Sequence, residues 1–136
     1  MLKKTITYTD YNEVERTEDF YFNLSKAELA EMELSVDGGF AEMAKKIADT
    51  KNAPELVKLF KELILKAYGE KSADGRRFMK VDEKGIPLSI GFSQTEAYSQ
   101  LFMELSQDAD AAAKFFTGVI PADLGKEVAA QLPNKI

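Results

Sequence analysis

The chain has 136 residues, 45% of them hydrophobic and 30% charged, the usage of one ordinary folded domain long enough to close its own core. A formal net charge of −5 argues against a nucleic-acid footprint, which needs concentrated positive charge. With no Cys and no His, disulfides, the common zinc, haem and iron–sulfur ligand sets, and Ser-His-Asp or Cys-His catalysis are all excluded.

No window is apolar over a membrane-spanning length. Thr5-Ile-Thr-Tyr-Thr-Asp10 is polar where the apolar core of a secretory leader would follow Met1-Leu-Lys-Lys4. A soluble intracellular protein with no membrane and no nucleic-acid partner is the expectation.

The first 24 residues read as a β-hairpin. Leu2, Lys4, Ile6 and Tyr8 alternate with Lys3, Thr5, Thr7 and Thr9, and Thr9-Asp-Tyr-Asn-Glu13 supplies the turn. The strand resumes from Val14 to Leu24, with Phe20, Phe22 and Leu24 on one face and Asp19, Tyr21 and Asn23 on the other. An isolated hairpin is marginal in water, so the apolar face needs a helical layer or a partner sheet.

Helical signals follow. Ser25-Lys-Ala-Glu28 is a capping box, and its helix runs to about Ser35 before Asp37-Gly-Gly39. Phe40, Met43, Ala44, Ile47 and Ala48 mark a second helix. Asn52-Ala-Pro-Glu55 starts a third, with a buried stripe of Leu56, Leu59, Phe60, Leu63, Ile64 and Ala67, closed by Tyr68-Gly69. Between Lys71 and Gly91 the pattern breaks. Phe78–Val81 and Ile86–Ile90 flank Asp82-Glu-Lys-Gly85 as a second short hairpin near 77–90. Ser93-Gln-Thr-Glu96 is read as a second capping box and opens a fourth helix. Asp108 caps a fifth through Phe116, stopped by Gly118, and Pro121 begins a last one ending near Gln131. The class is α+β: an N-terminal hairpin, then a bundle of five to six short helices. Residues 1–131 form the single domain and 132–136 a frayed tail.

Catalytic chemistry is not found. Gly69-Glu-Lys-Ser72 lacks the glycine that a phosphate loop needs before its Lys, and Asp108-Ala-Asp110 lacks the glycine and bidentate Glu of a calcium loop. Carboxylate pairs such as Glu28 with Glu31 and Glu15 with Asp19 sit in polar surroundings and read as solvated faces. Arg76-Arg-Phe-Met-Lys80 is the only basic cluster, and in an acidic chain it reads as a solvated turn or salt-bridging patch. No catalytic, cofactor-binding or metal-binding residue is assigned, and no cofactor is expected.

The aromatics carry what remains. Phe20, Tyr21 and Phe22 put rings on both faces of a strand, a pattern equally suited to core plus surface or to contact with another subunit. Tyr98 and Phe102 share a helix with Ala97, Leu101 and Leu105 and read as core first and as a partner groove second. These five are the candidate protein-binding residues.

Taken together, the chain resembles the tail assembly chaperones of long-tailed phages and prophages of Gram-positive bacteria. The likeness runs from about Lys4 to Leu124. It rests on Ile6-Thr-Tyr-Thr-Asp-Tyr-Asn12, Glu18-Asp-Phe-Tyr-Phe-Asn-Leu-Ser25, Leu63-Ile-Leu-Lys-Ala-Tyr-Gly-Glu-Lys-Ser72 and Asp74-Gly-Arg-Arg-Phe78. Phe92-Ser-Gln-Thr-Glu-Ala-Tyr-Ser-Gln-Leu-Phe-Met-Glu-Leu105 and Asp108-Ala-Asp-Ala-Ala-Ala113 complete it. The resemblance implies a non-enzymatic protein of the bacterial host's cytoplasm. It would coat the tape measure protein, self-associate into oligomers, and be absent from the finished virion. Glu13 stands where relatives often have Gly, and Val81–Gly91 is longer and less helix-like than the family pattern. The competing reading is a small intracellular regulatory or enzyme domain with a carboxylate site of unfamiliar design.

Overall fold

The computed structural model describes residues 1–35 and 53–121. The expected Asp37-Gly-Gly39 turn, the second helix at Phe40–Ala48, the last helix beyond Pro121 and the 132–136 tail lie outside the described residues.

Alternation builds the hairpin. β1 (Leu2–Thr9) and β2 (Glu15–Phe22) pair antiparallel along their whole length, from Leu2↔Phe22 to Thr9↔Glu15. Even-numbered residues face the helices, and Ile6, Tyr8 and Phe22 are buried there. The odd face is polar: Thr5 Oγ1 donates to Asp19 Oδ1 at 2.6 Å, and the Thr7 and Thr17 hydroxyls lie 2.9 Å apart. In the turn, the Asp10 carboxylate accepts from Arg16, from Asn12 N at 2.8 Å and from Val14 N at 3.0 Å. The Arg16 hydrogen bond comes first in holding that carboxyl below its usual range.

Glu13 closes this turn at φ 65°, in the left-handed region that L side chains disfavour. Glu13→Gly should therefore stabilise the protein by about 0.5–1 kcal/mol, the steric relief exceeding the extra freedom of the unfolded glycine. Urea denaturation checks this: a lower midpoint would mean the Glu13 side chain makes a compensating contact.

The sheet is larger than the sequence suggested. β3 (Tyr68–Lys71) pairs with β2, and β4 (Phe78–Met79) pairs with β3, giving the antiparallel order β1-β2-β3-β4. The helix ends where Tyr68-Gly69 was expected to close it, and the chain passes straight into a strand, β3, that the sequence did not signal. Gly69 makes this possible: a Cβ there would stand 2.5 Å from the Phe78 ring and 2.8 Å from the Met79 carbonyl oxygen. The hairpin near 77–90 is short. Val81 bridges Pro87 around a turn with Gly85 at φ 81°, and Leu88–Ser93 then coil into a helix where Ile86–Ile90 was expected to extend.

Among the described residues the helices are α1 (Lys26–Ser35), α2 (Ala53–Ala67), α3 (Leu88–Ser93), α4 (Glu96–Gln107) and α5 (Ala109–Val119). The first capping box forms as its sequence requires: Ser25 N donates to Glu28 Oε1 at 2.9 Å and Glu28 N to Ser25 Oγ at 3.1 Å. The second does not form. Ser93 ends α3, and Thr95 caps α4 by accepting from Tyr98 N at 3.2 Å. Asp108 caps α5 through Asp110 N and Ala111 N. That helix passes Gly118, which packs against Leu2, and ends at Val119. One core joins the inner sheet face to the helices through Phe22, Leu24, Leu63, Ile64, Leu101, Phe116 and Val119, each at most 1% exposed.

Lys80 ties three elements together. Its ammonium donates to the Asn23 carbonyl at 2.8 Å and to the Lys66 carbonyl in the last turn of α2, and pairs with Glu28 at 3.1 Å. Burial lowers its pKa, opposed by Glu28. Lys80→Met would leave these carbonyls and the carboxylate without their donor, at a cost of about 2 kcal/mol. Thermal denaturation measures it, and an unchanged midpoint would show that water replaces the ammonium freely.

Candidate functional site

The spacing of aromatics along the chain makes a continuous wall in the fold. Phe92, near the end of α3, is its hub. Its ring stacks on Tyr68 at 4.2 Å with 4° between planes, and lies 5.3 Å from Phe20, 5.7 Å from Phe22 and 5.8 Å from Tyr98. Tyr98 in turn stands 6.1 Å from Phe102, one helical turn along α4. Rings buried on one side thus lead outward to rings that are half-exposed. Burial raises the pKa of Tyr98, and burial together with Glu70 pushes Tyr68 up to about 12, so both phenols stay neutral at physiological pH.

At the outer end of that wall lies a groove of about 480 Å³. α4 contributes Tyr98 and Phe102, α2 contributes Val57 and Lys61, and the hairpin tip contributes Tyr11. Tyr11 is 74% exposed and Val57 46%, so the groove is walled by apolar surface that the described residues leave open. The Tyr11 hydroxyl donates to Glu96 Oε1 at 3.3 Å, linking the hairpin tip to the first turn of α4. Such a surface suits a protein segment with apolar side chains framed by polar ones.

The five aromatics singled out in the sequence separate. Tyr98 and Phe102 line the groove. Phe20 is half-buried between Tyr8 and Phe92. Phe22 is fully buried among Tyr68, Phe92 and Phe115, so it braces the wall from behind and offers no surface to a partner. Tyr21 stands on the outer sheet face, half-buried, with the Lys71 ammonium 4.6 Å above its ring. Tyr11 and Val57 were missed. Tyr11 sits among turn residues, and Val57 is a single apolar residue off the stripe of its helix, so neither has a periodic signal.

The carboxylates are placed structurally. Glu28 serves the α1 cap and Lys80, and Asp19 accepts from Thr5. Among the described residues no group of three or more His, Cys, Asp or Glu gathers as a metal site, and no helix is long and apolar enough to cross a membrane.

No curated protein and no solved structure matches the chain. The model of one protein family, described as phage tail assembly chaperone, matches residues 1–135.

Proposed function

The chain belongs to the phage tail assembly chaperone family, and from that premise we propose that it binds and shields the tape measure protein while a tail is assembled. Its partners are phage tail proteins and further copies of itself. Its work is binding without catalysis or cofactor, in the cytoplasm of the bacterial host, and it leaves before the virion is finished.

The observation that supports this best is the groove. An assembly chaperone has to cover apolar surface and later release it, which calls for modest apolar area bordered by polar groups. Tyr98, Phe102, Tyr11 and Val57 supply the area, and Lys61 and Glu96 the border. Tyr21, on the outer face of the sheet, is the second contact residue. Phe20 and Phe22 hold the two surfaces in register from behind.

Deleting the gene from a phage or prophage that encodes this chain tests the reading. The expected lysate contains filled heads without tails, and mass spectrometry of virions from the intact phage finds the chain missing. Normal tails without the gene, or the chain as a stoichiometric virion component, would contradict it.

A further inference from the structure

The sheet ends on β1, and no strand among the described residues pairs with its outer edge. Backbone bonds elsewhere fix which groups lie there. Asn23 N donates to the Ala67 carbonyl at 2.8 Å and Asp10 N to the Val14 carbonyl at 2.9 Å. Along an antiparallel strand, successive residues turn their N–H and C=O to opposite sides. The odd-numbered residues of β2 therefore bond to β3 and the even-numbered ones to β1, whose own even-numbered residues answer them. Lys3, Thr5, Thr7 and Thr9 are left with N–H and C=O directed away from the sheet.

Edge strands are usually kept from pairing by lysines, proline, a bulge or short length. β1 has 8 residues in unbroken register with β2. Lys3 and Lys4 guard only its start, and Lys4 is held by Glu104 at 3.0 Å. Thr5-Ile-Thr-Tyr-Thr9 has no charge, no Gly and no Pro, and every residue is of a type that favours strands. Beside Thr5–Thr7 runs a second groove, of about 420 Å³, whose other wall is α4 with Gln100, Met103, Glu104 and Gln107. Met103 is 48% exposed there.

We propose that this edge receives an extended, uncharged segment of a phage tail protein as a fifth strand. A row of donors and acceptors at two-residue spacing is matched by another polypeptide strand, whose main chain supplies the affinity. The groove supplies the selection. Every second side chain of the incoming strand lies against Met103 and the two glutamines, which suits apolar or small polar residues. Glu104, the carboxylate of this groove, is already paired with Lys4, so the complementary segment carries no charge. α4 stands directly beside the edge, leaving room for a single strand and not for the sheet and helices of a second copy. The choice of a tail protein rests on the proposed function; the open edge does not.

Short overlapping synthetic peptides spanning the tail proteins of the same phage, titrated into the isotope-labelled chain, test the edge by amide NMR. At least one uncharged peptide is expected to shift the amide signals of Lys3, Thr5, Thr7 and Thr9 more than those of Lys4, Ile6 and Tyr8, and to slow their hydrogen exchange. Thr7→Pro removes one outward N–H that β2 does not use, so the chain should stay folded and bind that peptide about tenfold or more weakly. Met103→Glu leaves the backbone intact and should also weaken binding, since charge is depleted from interface cores. If no peptide perturbs β1, or if a folded Thr7→Pro or Met103→Glu chain binds like the unmodified one, the proposal is overturned. It is overturned too if the β1 amides shift with the concentration of the chain alone, which would make a second copy the occupant. Silent peptides with the full-length tape measure protein still captured would sink the edge and leave the proposed function standing. A peptide bound at the edge with no tape measure protein captured would do the reverse.

Discussion

Phe22→Ala is expected to lower the unfolding free energy by about 3–5 kcal/mol. The ring is fully buried and meets Tyr68, Phe92 and Phe115 edge-on at 5.9, 5.7 and 5.2 Å, so truncation removes both burial and three aromatic contacts. Its neighbour gives the control. Tyr21 lies on the opposite face of the same strand with Lys71 over its ring, and a carboxylate there would keep a cationic neighbour. Tyr21→Glu should therefore change stability by less than about 1 kcal/mol. Urea denaturation of both variants decides the matter, and equal losses would contradict the facing of the strand.

Leu63→Ala should cost about 2–5 kcal/mol. Leu63 is 1% exposed on α2, within a buried stripe that includes Phe60, Ile64 and Ala67. α2 packs against α3 and α4, and neighbours in a close-packed core relax only in part to fill a cavity. A loss below about half a kcal/mol would place the stripe at solvent or at a partner surface.

Much of this architecture was legible in the sequence where one physical signal dominated. Period two gave the hairpin, Ser25 with Glu28 gave a cap, and the apolar stripe gave α2. The misreadings have a common cause. Tyr68–Lys71 is too short for a period to show, and its strand depends on Gly69 admitting the Phe78 ring, a contact that exists only in the folded chain. Ser93 lost the cap to Thr95 because a helix that was not expected, α3, runs through Ser93, leaving Thr95 in the extended backbone that a cap requires. Gly118 was read as a stop, whereas its missing side chain makes room for Leu2. For the site, Tyr98 and Phe102 were legible as aromatics on one helix face. Tyr11 and Val57 were not, because a groove is assembled from separate elements.

The central claim is that this chain binds and shields a tape measure protein. Co-expression of the affinity-tagged chain with the tape measure protein of the same phage tests it most directly. The account predicts that more of the tape measure protein is recovered in the soluble fraction with the tagged chain than without it, and that it co-purifies with several copies of that chain. A tagged chain that elutes alone, with the tape measure protein equally insoluble in its presence and absence, would contradict it.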